Sequence, residues 1–306
     1  MEPTEAFARP PQLRQRLDEV GYLADDALAT ITWLALRLRR PLLLEGEPGT
    51  GKTALAESLA DTLEVPLLRL QCYEGIDSTQ ALYDWDFPRQ ILHLRALEAV
   101  SGAAGSDLES LESVEDHLFT ERFLLARPVL QALRCAPAVL LVDEIDRADD
   151  EFEAFLLEVL STWQVSIPEF GTVRAPTPPV VVLTSNRTRD LHDALKRRCL
   201  YHWIEHPSLE RELAIVRRHV PQVAERLAHH VVTACQRLRD GRGTGTGLDL
   251  IKPPGVAETI DWTQALVALG ADTLDVATAA ATLGVAVKHR EDAERVRAAL
   301  DRVLTR

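Results

Sequence analysis

The sequence predicts an α/β fold in which a five-stranded parallel sheet lies between two layers of helices, followed by an all-helical domain. Two observations predict it. Up to about residue 207, short unbroken apolar runs alternate with longer segments of helical periodicity. This alternation is typical of a parallel sheet whose strands are buried on both faces. After Pro207 only helical patterns follow, so we expect an α/β domain over residues 1–207 and a helical lid domain over residues 208–306.

The expected elements follow one another along the chain. An N-terminal arm becomes helical near Gln12–Val20, and a second helix covers about Asp25–Arg39. Apolar runs predict the strands Pro41–Leu44, Pro66–Cys72, Ala138–Val142, Val180–Leu183 and Leu200–Ile204. Apolar residues three and four positions apart predict helices over Ala54–Leu63, Asp149–Trp163, Ser208–Val220, Pro221–Asp240, Val256–Leu269 and Asp275–Leu304.

Two segments interrupt the alternation of strands and helices. Residues 101–121 contain six acids, which indicates a solvated loop or helix. Residues 163–175 alternate apolar and polar side chains around a Pro-Glu-Phe-Gly turn, which predicts a β-hairpin standing off the sheet. Phe170 would lie at its tip, where it either contacts a substrate or packs on the hairpin itself.

Composition limits the class of protein. The chain has 306 residues and a formal net charge of −13, which argues against duplex nucleic acid as the main partner. No apolar run approaches the roughly 18 residues of a membrane span, and the acidic start lacks the apolar stretch of a secretory signal. The four cysteines lie far apart without any C-x-x-C pair, so a reducing cytoplasm is the expected location.

A glycine-rich motif follows the first strand. It consists of Gly46, Glu47, Pro48, Gly49, Thr50, Gly51, Lys52 and Thr53, and it fits G-x-x-x-x-G-K-[ST]. Glycines let backbone N–H groups face phosphate oxygens at the N-terminus of a helix. The Lys52 ammonium would reach the β- and γ-phosphates, and the Thr53 hydroxyl would be a Mg²⁺ ligand. The motif therefore predicts a binding site for a nucleoside triphosphate, ATP in particular.

A second strand ends in two acids, Asp143 and Glu144. Carboxylates at such a strand end suit a Mg²⁺–triphosphate site, with Asp143 holding the metal and Glu144 deprotonating the attacking water. A solvated acidic strand end is the alternative, and the phosphate loop upstream disfavours it. Because the second acid would activate water, the pair predicts hydrolysis rather than phosphate transfer to an acceptor.

These motifs together resemble those of AAA+ ATPases, which are P-loop NTPases with a three-layer αβα core. The resemblance includes the strand ending in Thr184-Ser185-Asn186 and the arginine-bearing helix after it. More narrowly, Asp143-Glu144-Ile145-Asp146-Arg147-Ala148 is similar to the D-E-I-N-R-A run of MoxR-type ATPases. The segments Thr120–Phe123 and Trp163–Ile167 also resemble that group, and Asp193–Leu200 is closest to its CoxD-like branch.

The resemblance assigns further roles. It implies that Asn186 is the sensor-1 residue beside the γ-phosphate, although an asparagine here could instead cap the next helix. It implies that Arg198 is an arginine finger acting on a neighbouring subunit, with Arg197 as the second candidate. It further implies a homo-oligomeric ring, commonly a hexamer, and a pre-sensor-1 insertion at residues 163–175. Tyr22 lies in the region where such proteins bind adenine.

The chain also departs from the family pattern. Asp146 stands where the family has asparagine, and residues 251–258 contain no arginine where a sensor-2 arginine is expected; Lys252 is the nearest cation. The expected function is ATP-driven remodelling or assembly of a partner complex. The resemblance suggests a von Willebrand factor A-domain partner and a client such as a molybdenum hydroxylase. The alternatives are a small-molecule phosphotransferase, a regulatory ATP-binding module and a DNA-remodelling motor, the last disfavoured by charge.

Overall fold

The computed structural model describes residues 6–104, 118–168, 170–240 and 248–304, with side chains given outside residues 97–104. Most of the acidic segment predicted at 101–121 and the glycine-rich loop at 241–247 lie outside the described residues. Within the described part of the chain, no helix combines the length and apolarity needed to cross a bilayer.

A five-stranded parallel sheet forms the centre of the α/β part and confirms the predicted fold class. Its strands are β1 (Leu42–Gly46), β2 (Leu67–Gln71), β5 (Val139–Asp143), β8 (Val180–Ser185) and β9 (Leu200–Ile204), in the order β2-β5-β8-β1-β9. Two antiparallel pairs accompany it: β3 (Tyr83–Trp85) with β4 (Leu124–Ala126), and β6 (Gln164–Ile167) with β7 (Gly171–Arg174). Strand β5 is buried along its whole length, which explains its unbroken apolar sequence.

The chain divides into two compact units. The first contains Ile31–Leu43 and Leu59–Tyr201, and the second contains Phe7–Thr30, Leu44–Ser58 and His202–Arg306. The unit boundary therefore differs from a simple division of the chain at residue 207. The domain ranges 1–207 and 208–306 remain a prediction.

Before the lid region the helices are α1 (Pro10–Glu19), α2 (Asp26–Leu38), α3 (Lys52–Leu63), α4 (Ser78–Leu82), α5 (Phe87–Ala104), α6 (Pro128–Arg134), α7 (Asp150–Thr162) and α8 (Asp193–Arg198). Of these, α1, α2, α3 and α7 begin and end close to the predicted residues. The Asp149 carboxylate caps α7 by accepting from the Phe152 N–H. Elements α4, β3, α5, β4 and α6 were not expected, because residues 73–135 carry no clear single period.

The predicted hairpin at residues 163–175 is present as β6 and β7. Val165 and Ile167 are buried in the core of the first unit, and Phe170 packs against the same core. The Arg134 guanidinium lies 5.4 Å from the centre of the Phe170 ring. Of the two expectations for Phe170, the structure favours packing within the protein.

The lid region is helical, as expected. It contains α9 (Leu209–His219), α10 (Glu225–Arg239), α11 (Val256–Ala268), α12 (Val276–Ala286), α13 (Arg290–Arg297) and α14 (Leu300–Leu304). The prediction of one helix over Asp275–Leu304 is wrong, because the backbone becomes extended at Val287 and His289 and the segment divides into three helices. The Trp262 side chain is fully buried in this core and donates its indole N–H to the Thr282 hydroxyl.

Candidate functional site

The phosphate loop joins β1 to α3 within the second unit. A Cβ on Gly46 would lie 2.3 Å from the carbonyl oxygen of Ile204, so only glycine fits at this close approach. Gly49 and Gly51 have φ values of +75° and +92°, the left-handed region that favours glycine. Close packing at Gly46 and the left-handed backbone at Gly49 and Gly51 therefore favour glycine even without a ligand.

Lys52 lies at the start of α3 and is almost fully buried. Its ammonium donates to the carbonyl oxygens of Gly46 and Glu47, at 2.8 and 2.7 Å. The Thr50 hydroxyl also donates to the Glu47 carbonyl, at 2.9 Å. The loop thus closes around a buried cation at a helix N-terminus, and this arrangement fits a phosphate group. Thr53 follows within the first turn of α3, half-buried, while Glu47 and Pro48 are exposed.

Asp143 is the last residue of β5 and lies in the first unit. One of its carboxylate oxygens accepts from the Thr184 hydroxyl and the other from the Arg69 guanidinium, both at 2.5 Å. The Asp143 side chain is only 5% exposed, whereas that of Arg69 is 49% exposed. The carboxylate oxygens of Asp143, which already pair with the Arg69 guanidinium, are the type of ligand that Mg²⁺ prefers.

Glu144 turns the chain immediately after the strand. Its backbone is left-handed, with φ 54° and ψ 50°, which for a non-glycine residue costs about 1–2 kcal/mol. The Glu144 N–H donates to the Thr184 hydroxyl at 2.9 Å. One carboxylate oxygen accepts from Gln71 at 3.0 Å and from Arg147 at 2.9 Å. The other accepts from the Asn186 amide at 3.3 Å, so the structure brings Glu144 and Asn186 together.

Asn186 follows β8 and is held by the buried Asp146. The Asn186 N–H donates to the Asp146 carboxylate at 3.2 Å. Thr188 donates to the same carboxylate through its N–H at 2.8 Å and its hydroxyl at 2.7 Å. The expectation that Asn186 caps the next helix is wrong, since α8 starts at Asp193 and His192 is its N-cap.

Acidic groups concentrate at these strand ends. The Cys72 N–H donates to the Asp143 carbonyl at 2.9 Å. Burial raises the pKa of the Cys72 thiol to about 12, and the carboxylates of Asp143, Asp146 and Glu144 contribute to this rise. Cys72 is therefore a protonated, inert thiol, chiefly because it is buried and to a smaller extent because three carboxylates lie nearby.

Arg197 and Arg198 occupy the last turn of α8, and both are exposed. The Arg40 guanidinium donates to the carbonyl oxygens of Arg197, Arg198 and Cys199, at 2.7, 3.1 and 3.3 Å. These bonds satisfy the carbonyls at the C-terminus of the helix. The structure fixes the position of both arginines equally and does not separate the two finger candidates.

Tyr22 lies beside the phosphate loop in the second unit. Its ring is 3.8 Å from the position of a Cβ on Gly51, and burial raises the pKa of its phenol. Arg211 holds the adjoining backbone by donating to the Leu23 carbonyl and to the Asp25 carboxylate. The structure thus places Tyr22 against the loop, in the region named for adenine binding.

Three contacts to the carboxylates were missed by the sequence reasoning: those of Arg69, Gln71 and Arg147. Gln71 is paired in register with Asp143, and Arg69 lies two residues before it on the same face of β2. Polar residues at alternate positions near the end of β2 were the available signal. The order of the strands, which sets β2 beside β5, was needed to interpret it.

The fold and these residues together define a P-loop nucleoside triphosphatase: strand, glycine-rich turn, buried lysine and helix, with two carboxylates ending another strand of the same sheet. The chain belongs to the AAA family of ATPase domains, in its dynein-related subfamily. Residues 41–199 match the family described as "AAA domain (dynein-related subfamily)".

Several known proteins are similar to this chain. It is 27% identical over 165 residues to the mouse protein "Nuclear valosin-containing protein-like". The aligned region covers 52% of this chain and 14% of that protein. It is 44% identical over 48 residues to Midasin of Giardia intestinalis, covering 16% of this chain and 1% of that protein. The matches thus span only a small part of either relative.

Solved structures of the Thermotoga maritima RuvB Holliday junction branch migration motor are also similar. One has 16% identity and a TM-score of 0.44, covering 90% of this chain and 68% of that one. A variant of the same protein has 16% identity and a TM-score of 0.46, covering 96% and 75%.

Proposed function

We propose that this chain hydrolyses ATP with Mg²⁺ and uses the turnover to remodel or assemble a partner complex. The observation that carries the proposal is the position of Glu144. This carboxylate follows the buried Asp143 directly and is held by the Asn186 amide, 3.3 Å away. A strand-end carboxylate beside an amide donor is suited to accept a proton from a water that the amide orients.

The phosphate loop supplies the binding half of the reaction. Lys52 and the backbone N–H groups of Gly46–Thr53 would bind the phosphate oxygens, with the Lys52 ammonium leaving its present carbonyl partners. The Thr53 hydroxyl and the Asp143 carboxylate would hold Mg²⁺, which when bound neutralises phosphate charge. In parallel sheets the carboxyl ends of the strands share one edge, which supports the joint action of these residues.

Arg198 would complete the site of a neighbouring subunit. A guanidinium acting in trans stabilises the charge that develops on the transferred phosphoryl group. This role requires a homo-oligomer, and a hexameric ring is the assembly we propose. The exposed position of Arg198 at the fixed end of α8 supports the role, and Arg197 is the second candidate.

The branch and the client rest on sequence resemblance. The run Asp143–Ala148 and the helix Asp193–Arg198 support a MoxR-type ATPase of the CoxD-like branch. On that basis we propose a cytoplasmic chaperone that acts with a von Willebrand factor A-domain protein on a metalloenzyme, such as a molybdenum hydroxylase. The formal charge of −13 favours a protein client over nucleic acid.

Two substitutions test the hydrolase. Glu144→Gln keeps the size and shape of the side chain, removes the base and replaces one acceptor oxygen by an NH₂ donor. We expect unchanged ATP affinity by calorimetry and a fall in phosphate release of about 10²–10⁴-fold, the range of general-base catalysis. Lys52→Ala should abolish ATP binding.

The same assay separates the rival functions. A phosphotransferase would release little phosphate without an acceptor, and a regulatory binding module would turn over slowly with or without Glu144. Wild-type turnover in the Glu144→Gln variant would remove the water-activating role from this residue.

A further inference from the structure

The N-terminus of helix α11 touches the phosphate loop directly. The contacting residues are Gly255 and Val256; together with the preceding Pro254 they are named here the docking segment, and they belong to the same unit as the loop. The Val256 N–H donates to the Gly49 carbonyl oxygen at 2.9 Å. A Cβ on Gly255 would lie 2.9 Å from the Gly49 Cα and 3.0 Å from the Pro48 carbonyl oxygen. Backbone therefore meets backbone, with no space for a side chain.

The backbone conformation of Gly255 does not itself require glycine. Its φ of −80° and ψ of −174° are accessible to any residue. A glycine is therefore required at position 255 by close contacts, with Gly49 and Pro48 of the loop and with the Glu258 carboxylate 2.9 Å from the added Cβ. Substitution of Gly255 thus tests the contact without adding backbone strain.

Side chains of the lid hold the docking segment in place. The Arg239 Nε donates to the Pro254 carbonyl at 2.5 Å, and the Thr259 hydroxyl donates to the Gly255 carbonyl at 3.0 Å. The Glu258 carboxylate accepts from the Gly255 N–H at 2.9 Å. Three polar groups of the docking segment thus have fixed partners, which set its distance from Gly49.

Behind the docking segment lies a buried ion pair. Arg239 donates to both carboxylate oxygens of Glu212, at 2.6 and 2.7 Å, and their side chains are 7% and 0% exposed. The Thr259 hydroxyl also lies 2.8 Å from this carboxylate, so its single proton is shared between the carboxylate and the Gly255 carbonyl. Desolvation offsets most of the attraction in such a pair, so its contribution to stability is small. Its definite effect is geometric, since it joins helices α9, α10 and α11 to the docking segment.

We propose that the docking segment couples ATP binding in the phosphate loop to the lid helices through backbone contact, and we call this coupling the relay. Arg239 and Glu212 position Gly255 for that contact. The peptide plane between Gly49 and Thr50 explains how. In a trans peptide the C=O and the following N–H point in opposite directions and rotate together. Val256 holds the carbonyl, while a phosphate in the loop would bind N–H groups. The relay rests on the proposed ATP binding, and it requires no sensor-2 arginine.

The test compares two glycine-to-alanine substitutions. Gly255→Ala inserts a methyl group into the contact, whereas Gly284→Ala in α12 is the matched control, because nothing lies within 4 Å of its added Cβ. ATP affinity is measured by calorimetry, and amide hydrogen exchange of residues 256–268 is measured with and without ATP. We expect Gly255→Ala to weaken ATP binding about tenfold, as overpacking of about 1.4 kcal/mol would, and to abolish the ATP-dependent change in exchange. The control should match wild type in both.

A second variant keeps the proposal testable if Gly255→Ala does not fold. Arg239→Lys keeps the charge beside Glu212 but removes the fork that also reaches Pro254. It should fold, by circular dichroism, and lose most of the ATP-dependent exchange difference. If both variants bind ATP and change exchange as the control does, the relay is wrong while the hydrolase proposal stands. A wild-type chain that binds no ATP would overturn both.

Discussion

At the scale of single residues, the contacts of Asp146 explain why an aspartate suits this position. The resembled family has asparagine at this position. Here the buried carboxylate accepts three hydrogen bonds, from the Asn186 N–H and from the N–H and hydroxyl of Thr188. A carboxylate has only acceptors and therefore suits three donors, whereas an asparagine would turn one NH₂ group toward them. Asp146 thus fixes the backbone that carries Asn186.

Substitution of Asp146 measures this anchoring. We expect Asp146→Ala to lower the free energy of unfolding by about 1–3 kcal/mol, because it leaves buried donors without acceptors. Asp146→Asn should fall between alanine and wild type. Asp190→Ala is the control: its carboxylate is 81% exposed and forms long ion pairs of 3.9 Å, so its effect should stay within about 0.5 kcal/mol. Urea unfolding measures all three. Equal midpoints for Asp146→Ala and Asp190→Ala would contradict the anchoring role.

The site residues differ in how far sequence reasoning could find them. Gly46–Thr53, Asp143 and Glu144 lie in continuous motifs whose spacing carries the chemistry, so local pattern was enough to nominate them. Asn186 was nominated only through a family resemblance, and its contact with Glu144 was found in the structure. Arg69 and Gln71 lie more than 70 residues before the carboxylates they hold, and only the pairing of β2 with β5 brings them together.

At the scale of elements, β2 is an edge strand that contacts the carboxylate at the end of β5, Asp143, and the one that follows it, Glu144. Arg69 donates to Asp143, Gln71 donates to Glu144, and the Arg69 guanidinium also donates to the Gln71 side-chain oxygen at 3.1 Å. The strand places these side chains on one face because residues two apart point the same way. The positive charge of Arg69 therefore lies where we propose that Mg²⁺ acts.

Removal of the Arg69 charge should change the need for metal. We expect Arg69→Gln to lower the Mg²⁺ concentration that half-saturates ATP binding by about two- to fivefold, equivalent to about 0.5–1 kcal/mol for a half-exposed pair. Arg127→Gln is the matched control, since its side chain is also 49% exposed and also pairs with an aspartate, Asp84. A Mg²⁺ titration of ATP binding measures both. An Arg69→Gln variant with the same Mg²⁺ requirement as the control would show that Arg69 does not compete for Asp143.

Elements were predictable where one period dominates. The strands of the large sheet and helices α9, α10 and α11 carry clear patterns. The division of Asp275–Leu304 into three helices was not predictable, because Val287 is buried and continues the apolar spacing through the break. Residues 73–135 contain short elements whose apolar residues face a shared core, including Trp85, Phe123 and Leu130. Apart from α5, the elements of this region have three to seven residues and are too short to establish a period.

At the scale of the whole molecule, the proposed arginine finger makes turnover depend on more than one subunit. Arg40 bonds to three successive carbonyls at the end of α8, which fixes the backbone from which Arg197 and Arg198 extend. An arginine finger must be positioned before it can stabilise a transition state. A fixed helix end with two exposed arginines meets that condition for an adjacent subunit.

Subunit mixing tests the shared site. We expect Arg198→Ala to bind ATP as wild type does and to lose at least about 10²-fold in turnover, toward the range known for arginine fingers. Mixed with the inactive Glu144→Gln variant, it should recover activity, because one subunit then supplies the base and its neighbour supplies the guanidinium. Arg197→Ala is the control, and it should remain active alone. If instead Arg197→Ala is the inactive partner that mixing rescues, the finger is Arg197. A chain that is monomeric by light scattering during full turnover would exclude any finger in trans, because each ATP would then be hydrolysed by the residues of a single subunit.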